Sequence, residues 1–434
     1  MKSAIDANRA RALQLLLGRR GPAPLRGMTS VCSAHPMVIE AALRRGLAEM
    51  VPVLIESTCN QVNHEGGYTG MVPAAFRRFV EAIADRIGFP RGNIILGGDH
   101  LGPNPWKNLP ADEALERAEA MVSAYVAAGF EKIHLDTSMG CAGEPEALDD
   151  ELTAERAARL ARVAESRAAL SDVRPLYVIG TEVPPPGGAS HALDQIAITE
   201  PAAVMKTLAV HRAAFENVGA ESALERVIGI VVQPGVEFGN ADVSIYQPER
   251  AQSLSSALAD MPGLVFEAHS TDYQPYFALS DLVTDGFAIL KVGPALTFAL
   301  REAFYGLDAI AAQLAGTPVD GSLEGVMEQL MLEEPRYWQS HYGGTTQEQR
   351  LQRHFSYSDR IRYYWSQPRA IKAVQSLFER LGDREIPEGL ISQYFGRLHP
   401  EIVTGELAPD ARTICLAAVD MALAPYSMAT ASPR

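Results

Sequence analysis

The 434-residue sequence has few cysteines, no long apolar run and fewer basic than acidic residues. Its four cysteines are scattered and form no Cys-x-x-Cys pair, which excludes a disulfide framework and favours the reducing cytoplasm. No stretch of about 18 residues is both apolar and uncharged, so the sequence predicts no membrane span. With 38 Lys and Arg against 53 Asp and Glu, the formal net charge of −15 opposes binding to nucleic acid.

Two nucleotide-binding signatures are also missing. No GxGxxG motif follows the first predicted strand, and GxxxxGK[ST] occurs nowhere in the chain. We therefore expect no nucleotide cofactor. The remaining composition, 47% hydrophobic and 21% charged, is that of a globular protein with a sizeable core.

Short runs rich in Val, Ile and Leu alternate with longer segments of helical period. Eight such runs occur, at 29–34, 51–57, 93–99, 132–138, 176–182, 227–233, 264–270 and 287–293. Because strands that are apolar along their whole length are buried on both faces, the alternation predicts a parallel sheet covered by helices. Eight units favour an α/β fold of the closed (β/α)8 type, a TIM barrel.

The strand pattern stops near residue 297, and the remaining chain reads as helices. We predict a barrel domain over residues 1–296 that carries the active site, and a helical C-terminal extension over 297–434 that packs on the barrel.

Polar residues stand at the carboxyl ends of the predicted strands, where (β/α)8 barrels build their active sites. These residues are Glu56, Asp99, His100, Asp136, Glu182, Gln233, Glu237, His269, Asp272 and Lys291. Strand interiors seldom hold such side chains, so the set predicts a site at the barrel mouth.

The segment GGDHLGPNPW carries the sharpest signal. We predict that His100 is a metal ligand and that Asp99 is a general acid or base, with Asp272 as its counterpart on the seventh strand. A loop aspartate that caps the next helix, beside a hydrogen-bonded histidine, is the alternative.

Other strand ends complete a set of nitrogen and oxygen donors. His269, Glu182 and Gln233 join His100 as predicted ligands of a divalent ion, Zn²⁺, Mn²⁺ or Ni²⁺, and Glu182 is also a predicted catalytic residue. A salt bridge at the barrel rim is the alternative for Glu182, and a loop-fixing amide is the alternative for Gln233. His134, in the middle of a strand, is interpreted as a packed core residue.

Substrate contacts are predicted from the same strand ends, from two glycine-rich loops and from the segment FSYSDRIRYYW. The predicted substrate-binding residues are Glu56, Asn60, Asp136, Gly187, Gly188, Ser270, Lys291 and Arg360. The glycine amides would cradle a phosphate or sugar hydroxyls. An ordinary loop for the glycines, and helix packing or an oligomer contact for Arg360, stay open.

Seven blocks carry a resemblance that spans nearly the whole chain. They are SVCSAHPMVIEAAL, ESTCNQVNHEGGYTGMVP, GGDHLGPNPW, KIHLDTSMGCA, YVIGTEVPPPGGA, VVQPGVEFG and FSYSDRIRYYW. Together they resemble the family of the non-catalytic Z subunit of class II D-tagatose-1,6-bisphosphate aldolase. The chain is also distantly similar to class II fructose-bisphosphate aldolases, whose Asp-His pair, fifth-strand Glu and late-strand His match Asp99, His100, Glu182 and His269. The remaining aldolase ligand histidine is replaced by Gln233.

The resemblance implies two functions. Some relatives stabilise a separate aldolase catalytic subunit, and others are C4 epimerases of ketohexoses or their 6-phosphates. We expect a metal-dependent epimerase of the tagatose and fructose pair, free or phosphorylated, that uses retro-aldol chemistry; a non-catalytic stabilising subunit is the alternative. The expected partners are the sugar, a second copy of the chain in a homo-oligomer, and an aldolase catalytic subunit.

Overall fold

The computed structural model describes residues 27–171, 173–181, 196–316 and 321–431. Eight parallel strands close into a barrel, and each strand pairs with its neighbours in chain order. Their bounds are β1 Met28–Cys32, β2 Val53–Thr58, β3 Ile94–Leu101, β4 Lys132–Leu135, β5 Leu176–Ile179, β6 Val227–Val232, β7 Val265–Ala268 and β8 Ile289–Val292. The predicted TIM-barrel α/β fold is confirmed.

A helix follows each strand and covers the outside of the barrel. The bounds are α1 Pro36–Glu49, α2 Pro73–Ile87, α3 Ala111–Ala127, α4 Asp150–Ala168, α5 Pro201–Asn217, α6 Pro248–Ala257, α7 Tyr276–Thr284 and α8 Pro294–Ala315. A one-turn helix, Glu221–Leu224, precedes β6, and a small hairpin, Glu237–Phe238 with Val243–Ser244, follows it.

Burial explains why the strands lack a simple polar and apolar alternation. All residues of β3 and β6 are buried, because one face meets the helices and the other fills the barrel. Inside the barrel, one apolar layer includes Leu54, Ile95 and Val178. Polar side chains lie on the same inward face further along the strands, since residues two apart on a strand point the same way.

The C-terminal extension consists of shorter helices and one long one. They are α9 Leu323–Glu333, α10 Thr346–Phe355, α11 Pro368–Leu381, α12 Glu388–Tyr394, α13 His399–Val403 and α14 Ala411–Thr430. Residue 297 lies within the first turn of α8, and the division of the chain at that residue stays a prediction.

The last helix, α14, packs against α1, α7 and α8 and contacts β1. Among the described residues, it is the one helix long and apolar enough by composition to cross a membrane. Its buried residues include Ile414, Val419 and Leu423, so its apolar side is used in packing on the barrel.

Candidate active site

A buried ion network lies inside the barrel beneath the mouth. The Nζ of Lys132 lies 2.8 Å from Glu56 Oε1 and 2.7 Å from Glu267 Oε2, and all three side chains are fully buried. Lys291 Nζ contacts Asp99 and lies 3.6 Å from Glu56 Oε2. Burial opposes the charge on Lys132, but Glu267 and Glu56 outweigh it and raise the pKa of that ammonium. The network therefore keeps paired charged side chains in the buried interior of the barrel.

A glycine on β3 makes room for this network. A Cβ at Gly97 would lie 2.3 Å from Glu56 Oε1, and the two residues are register partners on adjacent strands. The glycine of GGDH therefore lets the Glu56 carboxylate lie across the barrel toward Lys132.

Four side chains meet above the network, at the carboxyl ends of three strands. Each of Asp99, His100, His134 and His269 offers one ligand atom, and these atoms all lie within 4.8 Å of one another. The ring centroids of His100 and His269 are 4.8 Å apart, and those of His134 and His269 are 5.2 Å apart. We call these four residues the histidine cluster.

Asp99 and His100 reach the same side of the sheet although they are consecutive. A regular strand would point them to opposite faces. His100 instead has φ of 48°, and the register between β3 and β4 shifts between Gly98 and Leu101. This irregularity turns the imidazole of His100 toward the barrel mouth beside the Asp99 carboxylate.

Each imidazole is held by a hydrogen bond at one ring nitrogen. His100 Nδ1 lies 2.7 Å from Asp136 Oδ2, and His269 Nε2 lies 2.9 Å from Glu267 Oε1. His134 Nε2 donates to the carbonyl oxygen of Gly180 over 2.9 Å. In metal sites such bonds fix the orientation of the ring and direct its second nitrogen to the ion. The second nitrogen of His134, Nδ1, here contacts His100 and Asp99.

The chemistry of the cluster fits a divalent cation. His134 Nδ1 lies 3.2 Å from the backbone nitrogen of His100 and 3.0 Å from Asp99 Oδ1; a protonated ring donates to the carboxylate, whereas in the neutral ring two acceptor atoms face each other. A positive charge must compensate them, and Lys291 contacts the same carboxylate here. Three imidazoles and one carboxylate are a donor set that Zn²⁺, Mn²⁺ and Ni²⁺ accept.

The protonation states of Asp99 and His269 agree with this fit, whereas for His134 burial is outweighed by the hydrogen bond to Asp99, which raises the pKa of the imidazole. Burial alone would raise the pKa of Asp99, but His100 and Lys291 hold it well below its usual range. Burial, together with Lys291, lowers the pKa of His269 well below its usual value. An ionised carboxylate and a neutral imidazole are the forms that bind metal ions.

A second group of potential ligands, Cys32, Glu56 and Asp99, lies next to the cluster. Burial raises the pKa of the Cys32 thiol well above its usual value, and the thiol form is a poor ligand. The ion therefore fits better at the histidines.

Of the two remaining predicted ligands, Gln233 has a hydrogen-bond partner in its own loop and Glu182 lies outside the described residues. Gln233 Oε1 accepts the backbone N–H of Gly235 over 2.8 Å, which is the loop-fixing arrangement, and its ligand role stays a prediction. Gly187 and Gly188 also lie outside the described residues.

Asp272, in the loop after β7, contacts the start of α8 through its side chain. Its Oδ1 accepts the backbone N–H groups of Gly293 and Ala295 over 3.0 and 2.8 Å. Burial raises the pKa of this carboxyl to about 6, in the range suited to proton transfer at neutral pH. Ser270, between His269 and Asp272, has φ of 51° and is buried.

The other predicted substrate-binding residues that the structure describes lie in four environments. Glu56 and Lys291 belong to the buried network, and Asp136 holds His100. Asn60 is exposed in the loop after β2, and Arg360 is buried in the extension. Their contact with substrate stays a prediction.

Sequence reasoning missed three residues. His134 belongs to the cluster although its mid-strand position favoured packing, and Lys132 and Glu267 form the network. The sequence did carry a signal for them. Lys132, His134 and Asp136 occupy alternate positions in KIHLD, as do Glu267 and His269 in EAH, so the side chains of each set point to the same face of their strand. Glu237, noted only as a strand-end residue, is fully buried, and burial raises its pKa to about 7.

The fold and the cluster together define a class, a (β/α)8 barrel with a metal-competent histidine and aspartate site at its mouth. The family model of the D-tagatose-1,6-bisphosphate aldolase subunit GatZ/KbaZ-like proteins matches residues 13–431. The chain belongs to this family.

Two relatives match along almost their whole length. A D-tagatose 6-phosphate 4-epimerase of Agrobacterium fabrum is 55% identical over 421 residues, which cover 97% of this chain and 98% of that protein. The crystal structure of a probable tagatose 6 phosphate kinase from Sinorhizobium meliloti 1021 is 58% identical, with a TM-score of 0.87 over 93% of this chain and 100% of that one.

Proposed function

We propose that the chain is a divalent-metal-dependent sugar 4-epimerase that interconverts D-tagatose 6-phosphate and D-fructose 6-phosphate, or the free sugars. The observation that carries the proposal is the histidine cluster at the barrel mouth. The Agrobacterium relative, whose name states this activity, supports the choice of reaction. A stabilising subunit of an aldolase has no need of such a cluster, which is why that function is the second candidate.

The position of the reacting carbon selects the chemistry. C4 of a 2-ketose is β to the carbonyl, so the carbonyl does not acidify its C–H bond. Removing the proton of the C4 hydroxyl instead allows the C3–C4 bond to break, which gives an enediolate and an aldehyde. Addition to the other face of the aldehyde reforms the bond with C4 inverted. A bound divalent ion would supply polarisation of the C2 carbonyl and C3 hydroxyl.

Two carboxylates are proposed to handle the proton. Asp99 is ionised and can accept a hydrogen bond from a sugar hydroxyl, and Asp272, with its pKa of about 6, is its counterpart. Two groups are needed because the aldehyde is attacked from two faces. Glu182 is retained as a proposed catalytic residue and ligand.

The remaining roles are proposed from the same placement. His100, His134 and His269 would hold Zn²⁺, Mn²⁺ or Ni²⁺, with Gln233 as a further ligand. Substrate contacts are proposed for Glu56, Asn60, Asp136, Gly187, Gly188, Ser270, Lys291 and Arg360. We also propose a cytoplasmic enzyme of carbohydrate and galactitol catabolism that binds no nucleotide, forms a homo-oligomer and associates with an aldolase catalytic subunit.

A single assay tests the proposal. The purified full-length chain is stripped of metal, supplied in turn with Zn²⁺, Mn²⁺ or Ni²⁺, and given tagatose and fructose, each free and 6-phosphorylated, in D₂O. We expect metal-dependent interconversion by the chain alone with no deuterium at C4, because the exchanged proton belongs to the hydroxyl.

Deuterium at C4 would show that the C4 proton itself is removed and returned, which contradicts the retro-aldol route. No interconversion with any metal, together with an increased thermal stability of an added class II aldolase subunit, would favour the non-catalytic function.

A further inference from the structure

We propose that the segment 356–365 of the C-terminal extension forms an anion site that receives the phosphate of a sugar phosphate through Arg360 and Arg362. The inference rests on the proposed function and specifies its substrate class as phosphorylated ketohexoses.

Among the described residues, no carboxylate lies within 4.0 Å of the buried cation Arg360. Its residue is 8% exposed, and one guanidinium nitrogen donates to the carbonyl oxygen of Tyr337 over 2.9 Å. Its buried Nε has no hydrogen-bond partner among the described residues. A guanidinium carries five N–H donors, and an unmatched buried charge is costly. The arrangement therefore has donors to spare for an anion.

Arg362, two residues later, is half-buried and also bonds to uncharged groups. Its guanidinium lies 4.5 Å from the ring centroid of Tyr363 and donates to the backbone carbonyl of Asp359 over 3.1 Å and to the Tyr363 hydroxyl over 3.0 Å. In the part of the chain that the structure describes, neither arginine has a carboxylate within 4.0 Å. Two adjacent guanidinium groups thus have only uncharged partners.

The positive charge of the pair acts on the groups around it, and Arg362 also opposes the raised pKa of the buried carboxyls of Asp272 and Asp359. Burial lowers the pKa of His341 to about 4, with further lowering by Arg360, Arg362 and Lys107. Burial would raise the pKa of Tyr363, yet Arg362 and Arg360 lower it. A locally positive region in a chain of net charge −15 is an arrangement that attracts and retains a small anion.

The segment lies over the barrel mouth. Tyr363 packs edge-on against Tyr68 of the loop after β2, with ring centroids 4.9 Å apart. Ser356 Oγ donates to Asn240 Oδ1, in the hairpin after β6, over 2.9 Å. Tyr273, in the loop after β7, donates its hydroxyl to the carbonyl oxygen of Tyr357 over 2.7 Å. Loops from three strand ends therefore hold the arginines on the same side of the barrel as the histidine cluster.

A sugar phosphate matches this layout. Its ketose end would reach the donors of the cluster, and its phosphate would take the paired guanidinium groups, which bind phosphate oxygens in bidentate fashion. A purely structural role, in which the arginines only fasten the segment to the loops, predicts no preference for phosphorylated ligands.

The test compares Arg360→Gln and Arg362→Gln with Arg336→Gln, whose arginine is 69% exposed and is the matched control. Binding of inorganic phosphate and D-tagatose 6-phosphate to the full chain is followed by ³¹P NMR and calorimetry, and free tagatose is the neutral ligand. We expect each segment variant to weaken both phosphorylated ligands about 10- to 100-fold and to leave free tagatose unchanged. The control should match the wild-type chain.

Equal weakening of free and phosphorylated sugar, or no weakening of either, would overturn the phosphate site, as would a wild-type chain that binds no phosphorylated ligand. If a glutamine variant unfolds, Arg362→Lys is measured instead, because it keeps the charge and loses the paired N–H donors of the guanidinium group. It should weaken the binding of tagatose 6-phosphate and leave the binding of free tagatose unchanged. Because binding is measured without turnover, phosphate binding by an inactive chain would separate failure of the epimerase proposal from failure of this site.

Discussion

His100 adopts a left-handed backbone conformation, with φ of 48°, that side-chain-bearing residues seldom adopt. Such strain persists where surrounding contacts enforce it, and here Asp136 holds the ring while His134 accepts the backbone N–H. These contacts keep the backbone of His100 in a conformation that a regular strand does not require, which agrees with a ligand role.

Removal of a cluster histidine should release metal. We expect about one divalent ion per wild-type chain, and a marked loss in His100→Ala and in His134→Ala, because three donors remain from four. His399→Ala, in the distant helix α13, is the control and should keep its ion. Elemental analysis after dialysis measures the content, and full retention in both cluster variants would remove the ion from the histidines.

Asp99 should affect turnover more than folding. Asp99→Asn keeps the shape of the side chain and loses the proton acceptor, so we expect kcat to fall roughly 10²- to 10⁴-fold. The circular dichroism spectrum should stay close to wild type, and kcat is measured at saturating metal, because Asp99 is one of the four cluster donors. Near-normal kcat would assign the proton transfer to another group, and Asp272→Asn is the next variant to measure.

Some of these residues could be predicted from the sequence. Asp99, His100 and His269 stand at recognisable strand ends in GGDH and EAHS, and the structure brings them together. His134 could not be separated from core residues by burial pattern alone, because an inward-facing side chain in a barrel is buried whether it packs or binds. The partner of each ring depends on contacts between strands, which sequence spacing does not contain.

At the level of elements, the close approach of the segments that follow β3 and β4 depends on a glycine, Gly102. A Cβ at Gly102 would lie 1.7 Å from the backbone oxygen of Asp136. Any other residue at position 102 would therefore force the two segments apart. Asp136 in turn holds His100. Close backbone contact therefore sets the geometry of the site.

Gly102→Ala should destabilise the protein by about 1–3 kcal/mol or more, because the backbone must shift. The matched control is Gly389→Ala in α12, where a Cβ meets nothing within 4 Å and alanine favours the helix. Urea denaturation compares the two. Equal stabilities would show that the β3–β4 junction relaxes freely.

Most of the barrel strands could be predicted from the sequence. All eight predicted runs overlap a barrel strand, since full burial imposes apolar composition on both faces. The hairpin at 237–244 was missed because its strands are two residues long, too short to show any period. The shift in β3 was also unpredictable, because it follows from pairing with β4 rather than from local preference.

At the scale of the whole molecule, the contact between extension and barrel contains a carboxyl that favours the protonated state. Asp359 is buried beside Thr297, whose hydroxyl donates to Asp359 Oδ2, and its Oδ1 has no hydrogen-bond partner among the described residues. Arg301 and Arg362 oppose the effect, yet burial raises the pKa of Asp359 to about 7. Ionisation of this group therefore weakens the folded state.

The sign of the pH dependence follows. Between about pH 4 and pH 7 the folded chain binds a proton that the unfolded chain has lost, so this group's contribution to the free energy of unfolding falls as pH rises and is lost above pH 7. Asp359→Asn cannot ionise, so its stability relative to wild type should rise between pH 5 and pH 8 by on the order of 2 kcal/mol. Urea denaturation at both pH values measures the difference, with exposed Asp383→Asn as control. A difference that does not change with pH would mean that Asp359 stays ionised in the fold and that an unseen cation or donor satisfies it where the extension meets the barrel.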